Sequence, residues 1–215
     1  MKTALRTAAL AAAMVLLASC TRYADDARAV AGPDLLEAAG SGASECSTVD
    51  AELTTVPAVD DGDPVLKIPQ PDGWERSTMM DSNLIRFAMA NRSLAVDNFA
   101  PTAVVTLESA PGEEDPDVVF DSQRASLESQ LGVTGVEVTE HTLCGLPAKV
   151  MHYEMPVMGT VAPHPAMVLF AVMHTDDTTY AVAVTVQTTD PDNPTYKRDS
   201  DTILNGFQML PPSKS

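Results

Sequence analysis

Positive charge is scarce in this chain: 13 Lys and Arg stand against 30 Asp and Glu in 215 residues, for a formal net charge of −17. So acidic a surface repels phosphate backbones, which argues against nucleic acid as a partner, and there is no polybasic stretch for anionic lipid headgroups. Aromatics are thin too, at 5% with a single Trp, so any core must be built from Val, Ala, Leu and Met. No apolar run reaches the roughly 18 residues of a membrane-spanning helix. The signatures of common chemistries are missing. There is no G-x-S-x-G of a serine hydrolase, no H-E-x-x-H of a zincin and no phosphate-cradling Gly loop. His141, His152, His164 and His174 have no metal-ligand spacing. His152 and His174 fall in predicted strands, where satisfied strand histidines are the simpler account than a metal pair. The acidic run Gly112–Asp117 lacks the alternating ligands of a calcium loop, and helix capping accounts for it. No catalytic residue, metal or cofactor is expected.

What is present begins at the N-terminus. Lys2 and Arg6 precede an apolar run from Ala8 to Leu17, the length of a signal-peptide core. It ends in Leu17-Ala18-Ser19-Cys20, which resembles the bacterial lipobox, whose cysteine is lipidated and becomes the first residue after cleavage. The alternatives are a plain signal peptide with an incidental cysteine, or a short anchor. On the lipobox reading residues 1–19 are removed and Cys20 is the lipidation site. More than one acyl chain then holds the protein at the extracytoplasmic face of the cell membrane, since one chain binds only marginally. Residues 20–63, rich in Ala, Asp, Ser, Thr, Gly and Pro with no sustained period, read as a flexible tether with at most a short helical turn at Pro33–Ala39. Cys46 and Cys144 are then two thiols in an oxidising compartment. With no C-x-x-C and no zinc-spaced histidine, a disulfide between them is simpler than a redox pair or a metal site.

Residues 64–212 carry the pattern of a folded domain. Strands are expected at Val65–Ile68, Leu84–Ala90, Thr102–Ser109, Val136–His141, Leu146–Met155, Ala166–His174 and Thr179–Thr188. One helix is signalled by Asp115 as cap, Pro116 at the first position and an end at Gly132. A second is signalled by Asn193, Pro194 and an end at Gly206. Trp74, after the turn Pro69–Gly73, reads as a core anchor. Runs of strands with two helices give an α+β class, a central antiparallel sheet of about six to seven strands covered by two helices.

The segment Ile68-Pro69-Gln70-Pro71-Asp72-Gly73-Trp74 after a short strand, behind a lipobox and a low-complexity tether and ahead of a terminal helix, resembles the mycobacterial LpqN/LpqT lipoproteins. That family is similar to PsbP-like proteins, and the likeness covers about residues 64–210. It implies a PsbP-like fold and a cell-envelope lipoprotein with a non-catalytic binding or accessory role. It supplies no catalytic motif to carry over.

Eleven methionines are many for this length. Met151, Met155 and Met158 flank the apolar, proline-punctuated MPVMGTVAPHP, with Met167 and Met173 in the next strand. Methionine suits adaptable apolar surfaces. These five are the candidate ligand-binding residues, as a lid or groove for an acyl chain or an apolar partner. The alternative is ordinary core filling in a domain poor in aromatics. The function expected is that of a non-enzymatic accessory factor that engages an envelope glycolipid or protein partner in envelope assembly or transport. Its rivals are a pure protein-interaction module at the cell surface, host proteins included, and a hydrolase with an unrecognised site.

Overall fold

Alternation sets the architecture in strand β9 (Thr178–Gln187), where Tyr180, Val182, Val184 and Val186 all point to one face and are buried. The computed structural model describes residues 46–213. Before β9 come β1 (Glu52–Thr55), β2 (Val65–Gln70), β3 (Glu75–Ser77), β4 (Ile85–Ala90), β5 (Thr102–Pro111), α1 (Pro116–Ser126), β6 (Thr134–Leu143), β7 (Leu146–Met155) and β8 (His164–Thr175). After it come α2 (Pro194–Gly206) and β10 (Gln208–Leu210). Seven strands form one antiparallel sheet in the order β3-β4-β5-β9-β8-β7-β6, and β1-β2-β10 form a second, three-stranded sheet. The expected α+β class, with a central antiparallel sheet and two helices, is the fold. One strand is placed differently: Val65–Ile68 lies in the small sheet, and the short β3 takes its place in the large one.

The large sheet is packed on both faces. Leu169, Ala171, Met173 and the four large residues of β9 join Trp74, Ile68, Ile203, Leu204 and Phe207 in one cluster. On the opposite face Met151, Tyr153, Met155, Val168, Phe170 and Val172 pack with Phe120 of α1. Strands covered on both sides read as near-continuous apolar runs, as β8 does.

The caps expected from the sequence are in place. The Asp115 carboxylate accepts the Asp117 backbone N–H at 2.9 Å with Pro116 at the first position, and Asn193 Oδ1 accepts the N–H groups of Thr195 and Tyr196 at 3.0 and 3.3 Å. A π-helical turn, Leu127–Leu131, continues α1 to Gly132, which ends it at φ +68°. Gly206 has a different reason to be glycine. A Cβ there would lie 2.7 Å from Pro69 Cγ and would also run into Val49. Trp74 is an anchor: its indole N–H donates to the buried Asp199 carboxylate of α2 at 2.9 Å.

The tether expected over residues 20–63 does not extend through residue 63. Residues 46–63 belong to the fold, because they have partners that their composition hides. Cys46 is bonded to Cys144. β1 pairs with β2 from Glu52↔Gln70 to Thr55↔Lys67. Asp63 is buried in an ion pair with Arg86 at 2.7 Å and also accepts the N–H groups of Val59 and Asp60. Burial alone would raise the Asp63 pKa; these three donors outweigh it and hold the carboxyl below its ordinary value. Cys20 and the rest of residues 1–45 lie outside the described residues.

Candidate functional site

The first half of α2 crosses the ends of β7 and β8, and a groove of about 330 Å³ opens between them. Its walls are Tyr153, Pro165, Ala166, Met167, Pro191 and Tyr196; His152, Lys197, Ser200 and Asp201 form the rim. The Asn193 cap fixes the first turn of α2, which places Tyr196 inward and Lys197 outward. The volume is near the lower end of the ~300–1,000 Å³ usual for ligand clefts. A larger hollow, about 700 Å³, is lined by Asp50, Glu52, Asp72, Arg198 and Asp199. It lacks the apolar walls that a ligand site ordinarily offers.

Burial, opposed by a hydrogen bond with Thr185, pushes the Tyr153 hydroxyl up to about 12. Burial raises Tyr196 further, and the Asp201 charge adds to it. The Tyr196 ring therefore stays neutral and presents an apolar body to the groove, whereas the Tyr153 ring packs with Phe120 on the opposite face of the sheet. The Ser200 hydroxyl donates to the Lys197 carbonyl at 3.0 Å, and the Lys197 ammonium donates to Asp192 at 2.8 Å. Among the described residues no three His, Cys, Asp or Glu side chains converge as metal ligands would.

The five candidate methionines are not one site. Met151 and Met155 are buried beneath α1, whereas Met167 and Met173 pack on the opposite face beneath α2. Met158 is 51% exposed in the loop between β7 and β8. Only Met167 lines the groove. The core-filling alternative therefore describes Met151, Met155 and Met173. His152 and His174 do not meet: Met167 stands opposite His152, and the His174 ring is bonded to the Glu114 carbonyl at 2.8 Å. His164 is buried between the Ala162 carbonyl and Gln187, against the Phe99 ring. The α2 wall of the groove was missed from sequence. Its signal is the spacing Tyr196, Lys197, Ser200, Asp201, one stripe of the helix.

The disulfide expected between Cys46 and Cys144 is present. It sits at the β6–β7 turn, where Cys144 and Gly145 both take left-handed backbone angles, +50° and +81°, as a two-residue hairpin of the I′ kind requires.

Fold and groove together define a small α+β domain with a seven-stranded antiparallel sheet and an apolar cleft beside α2. The chain belongs to the family described as "Probable lipoprotein LpqN", whose profile matches residues 47–210. Among solved structures it is similar to LpqN of Mycobacterium tuberculosis, described as involved in cell envelope biogenesis. The TM-score is 0.59 at 18% identity, covering 76% of this chain and 93% of that one. A weaker likeness is to the Ran-binding protein Mog1p of Saccharomyces cerevisiae, with TM-score 0.46 and 14% identity over 75% of this chain and 97% of that one. No curated protein matches the sequence.

Proposed function

We propose that the protein is a lipid-anchored, non-enzymatic binding factor of the cell envelope. It engages an envelope glycolipid or a protein partner at the groove between α2 and β7–β8. Membership of the lipoprotein family supports the class, and the printed role of the M. tuberculosis relative supports the compartment. The observation that carries the site is the groove itself. Side chains fill both faces of the sheet, and the groove offers a ligand the apolar walls of Tyr196, Met167, Pro165 and Pro191.

The test is native mass spectrometry of protein taken from its envelope without harsh detergent, beside a Pro165→Trp variant that obstructs the groove from an exposed position. An adduct that extracts into organic solvent and is lost in the variant makes the ligand a lipid. A crosslinked protein lost in the variant makes it a protein. Binding that the variant leaves intact removes the groove from the proposal. The anchor is tested apart from this: Cys20→Ala should release the protein from the membrane fraction, and protein that stays bound and unprocessed in both forms rules out the lipobox.

A pure protein-interaction module has one observation in its favour. The turn between β3 and β4 exposes Met79 almost completely, with Met80 and Leu84 about half exposed beside it. Met79→Ser/Met80→Ser should abolish crosslinking on that reading and leave a groove ligand in place.

A further inference from the structure

We propose that the outer edge of β6 is a docking site for an extended segment of a partner protein in which apolar and basic side chains alternate. The inference is independent of the groove's ligand.

The two edges of the large sheet are built differently. One is β3, three residues long, with Arg76 stacked 4.3 Å from the Phe87 ring centre and paired with Asp81. That edge is short and capped by its own side chains. The other is β6, ten residues long, and among the described residues it pairs only with β7. The β6–β7 register is irregular between Thr134 and Glu137, and from Glu137 to Leu143 it is continuous, so this stretch leaves a row of N–H and C=O groups facing outward, the arrangement to which another strand adds.

The side chains along that edge specify what is added. Val138 stands opposite Met151 and Glu140 opposite Lys149, so Val138 and Glu140 share the face of α1. Val138 is 39% exposed, and Leu131, in the turn that leads into β6, is 45% exposed. This apolar strip matches every second residue of an incoming strand. The other face presents Glu137, opposite His152, then Thr139 and His141. The nearby Lys149 is already bonded to both Asp117 and Glu140, so it does not offset Glu137. Residues of the partner that face Glu137 are therefore basic. A second copy of β6 carries Glu137 and Glu140 and no Lys or Arg, so it supplies no such partner. Glu137 thus bars an acidic strand and admits one whose residues on its face are cationic, whereas Glu140, on the apolar face, is already paired with Lys149.

The test uses the whole protein and a fluorescent nine-residue peptide that alternates Lys and Val. One control replaces Lys with Glu, and a second keeps the composition but gathers the lysines at one end. Anisotropy titrations and amide hydrogen exchange are read together. The expected result is saturable binding of the alternating peptide, about tenfold tighter than the gathered one, with slowed exchange confined to β6. Glu137→Lys should weaken it by about tenfold without moving the melting temperature, because Glu137 is an exposed position. The proposal is overturned by no saturation at ~1 mM peptide, by equal binding of the gathered peptide, or by protection that appears elsewhere than β6. It is also overturned if β6 amides are already protected without peptide, which would assign the edge to another copy or to another part of this chain.

Discussion

Removing the Cys46–Cys144 bridge should lower the stability of the domain by about 4–5 kcal/mol. The bridge joins residues 98 apart in sequence, and the loop it closes contains β1 to β6 and α1. Loop-closure entropy removed from the unfolded chain is ~16 cal/mol/K for that span, or about 4.7 kcal/mol at 25 °C. The full effect is expected only if residues 46–55 stay docked when the bridge is gone. Their other attachments favour that: β1 pairs with β2 over four residues, and Val49 sits against Gly206. The comparison is oxidised protein against Cys46→Ala/Cys144→Ala in equilibrium urea unfolding. Fluorescence of Trp74, the single and buried tryptophan, and far-ultraviolet circular dichroism would follow the transition. At 2–4 °C per kcal/mol for a domain of this size, the melting temperature should fall by about 8–20 °C. The m-value should rise, because the uncrosslinked unfolded chain exposes more surface. A loss under ~1.5 kcal/mol with an unchanged m-value would refute the reasoning, since it would show that the bridge constrains the unfolded chain far less than its span requires. If instead the first residues fray, hydrogen exchange in β1 should speed up while β9 stays protected.

Asp63 gives a pH signature. Its folded pKa is depressed, so its stabilising contribution is present above the ordinary carboxyl value near ~4 and is lost as pH falls through the lower folded value. Asp63→Asn should cost about 3 kcal/mol at neutral pH by leaving Arg86 buried without its charge partner, and should flatten the acid limb of stability against pH. Parallel limbs in urea unfolding from about pH 2.5 to 7 would assign that limb to other carboxylates. Met151→Ala should cost about 2–5 kcal/mol because the side chain is 1% exposed, whereas Met158→Ala should stay within about 0.5 kcal/mol. Comparable losses in the two variants would contradict the division between core and loop. Gly206→Ala sets two effects against each other: helix propensity would gain about 1 kcal/mol, but the new Cβ must displace Pro69 and Val49. The packing effect should win, giving a net loss of about 1–2 kcal/mol in a thermal melt.

Local physics was legible in the residues themselves. Asp115-Pro116 and Asn193-Pro194 mark helix starts because a side-chain acceptor and a missing N–H answer a need that lies within four residues. The alternation of β9 is equally local, and Cys46 and Cys144 were paired by number and compartment. What failed depends on register between distant segments. β1 reads as linker because Glu-Leu-Thr-Thr is mostly exposed and joins the fold through backbone bonds to β2, which carry no side-chain pattern. β2 reads as a strand of the central sheet, but its partners, β1 and β10, come from both ends of the domain. The methionines show the cost most clearly. Met151 and Met167 are near in sequence and lie on adjacent strands, but the β7–β8 register sets Met151 against Val168 and Met167 against His152. With a side-chain period of two, that single offset sends one to the α1 face and the other to the α2 face. A cluster assigned by sequence proximity is therefore divided by the sheet. The groove forms where a helix some thirty residues further on lays Tyr196 beside Met167, the one methionine of the five that lines it.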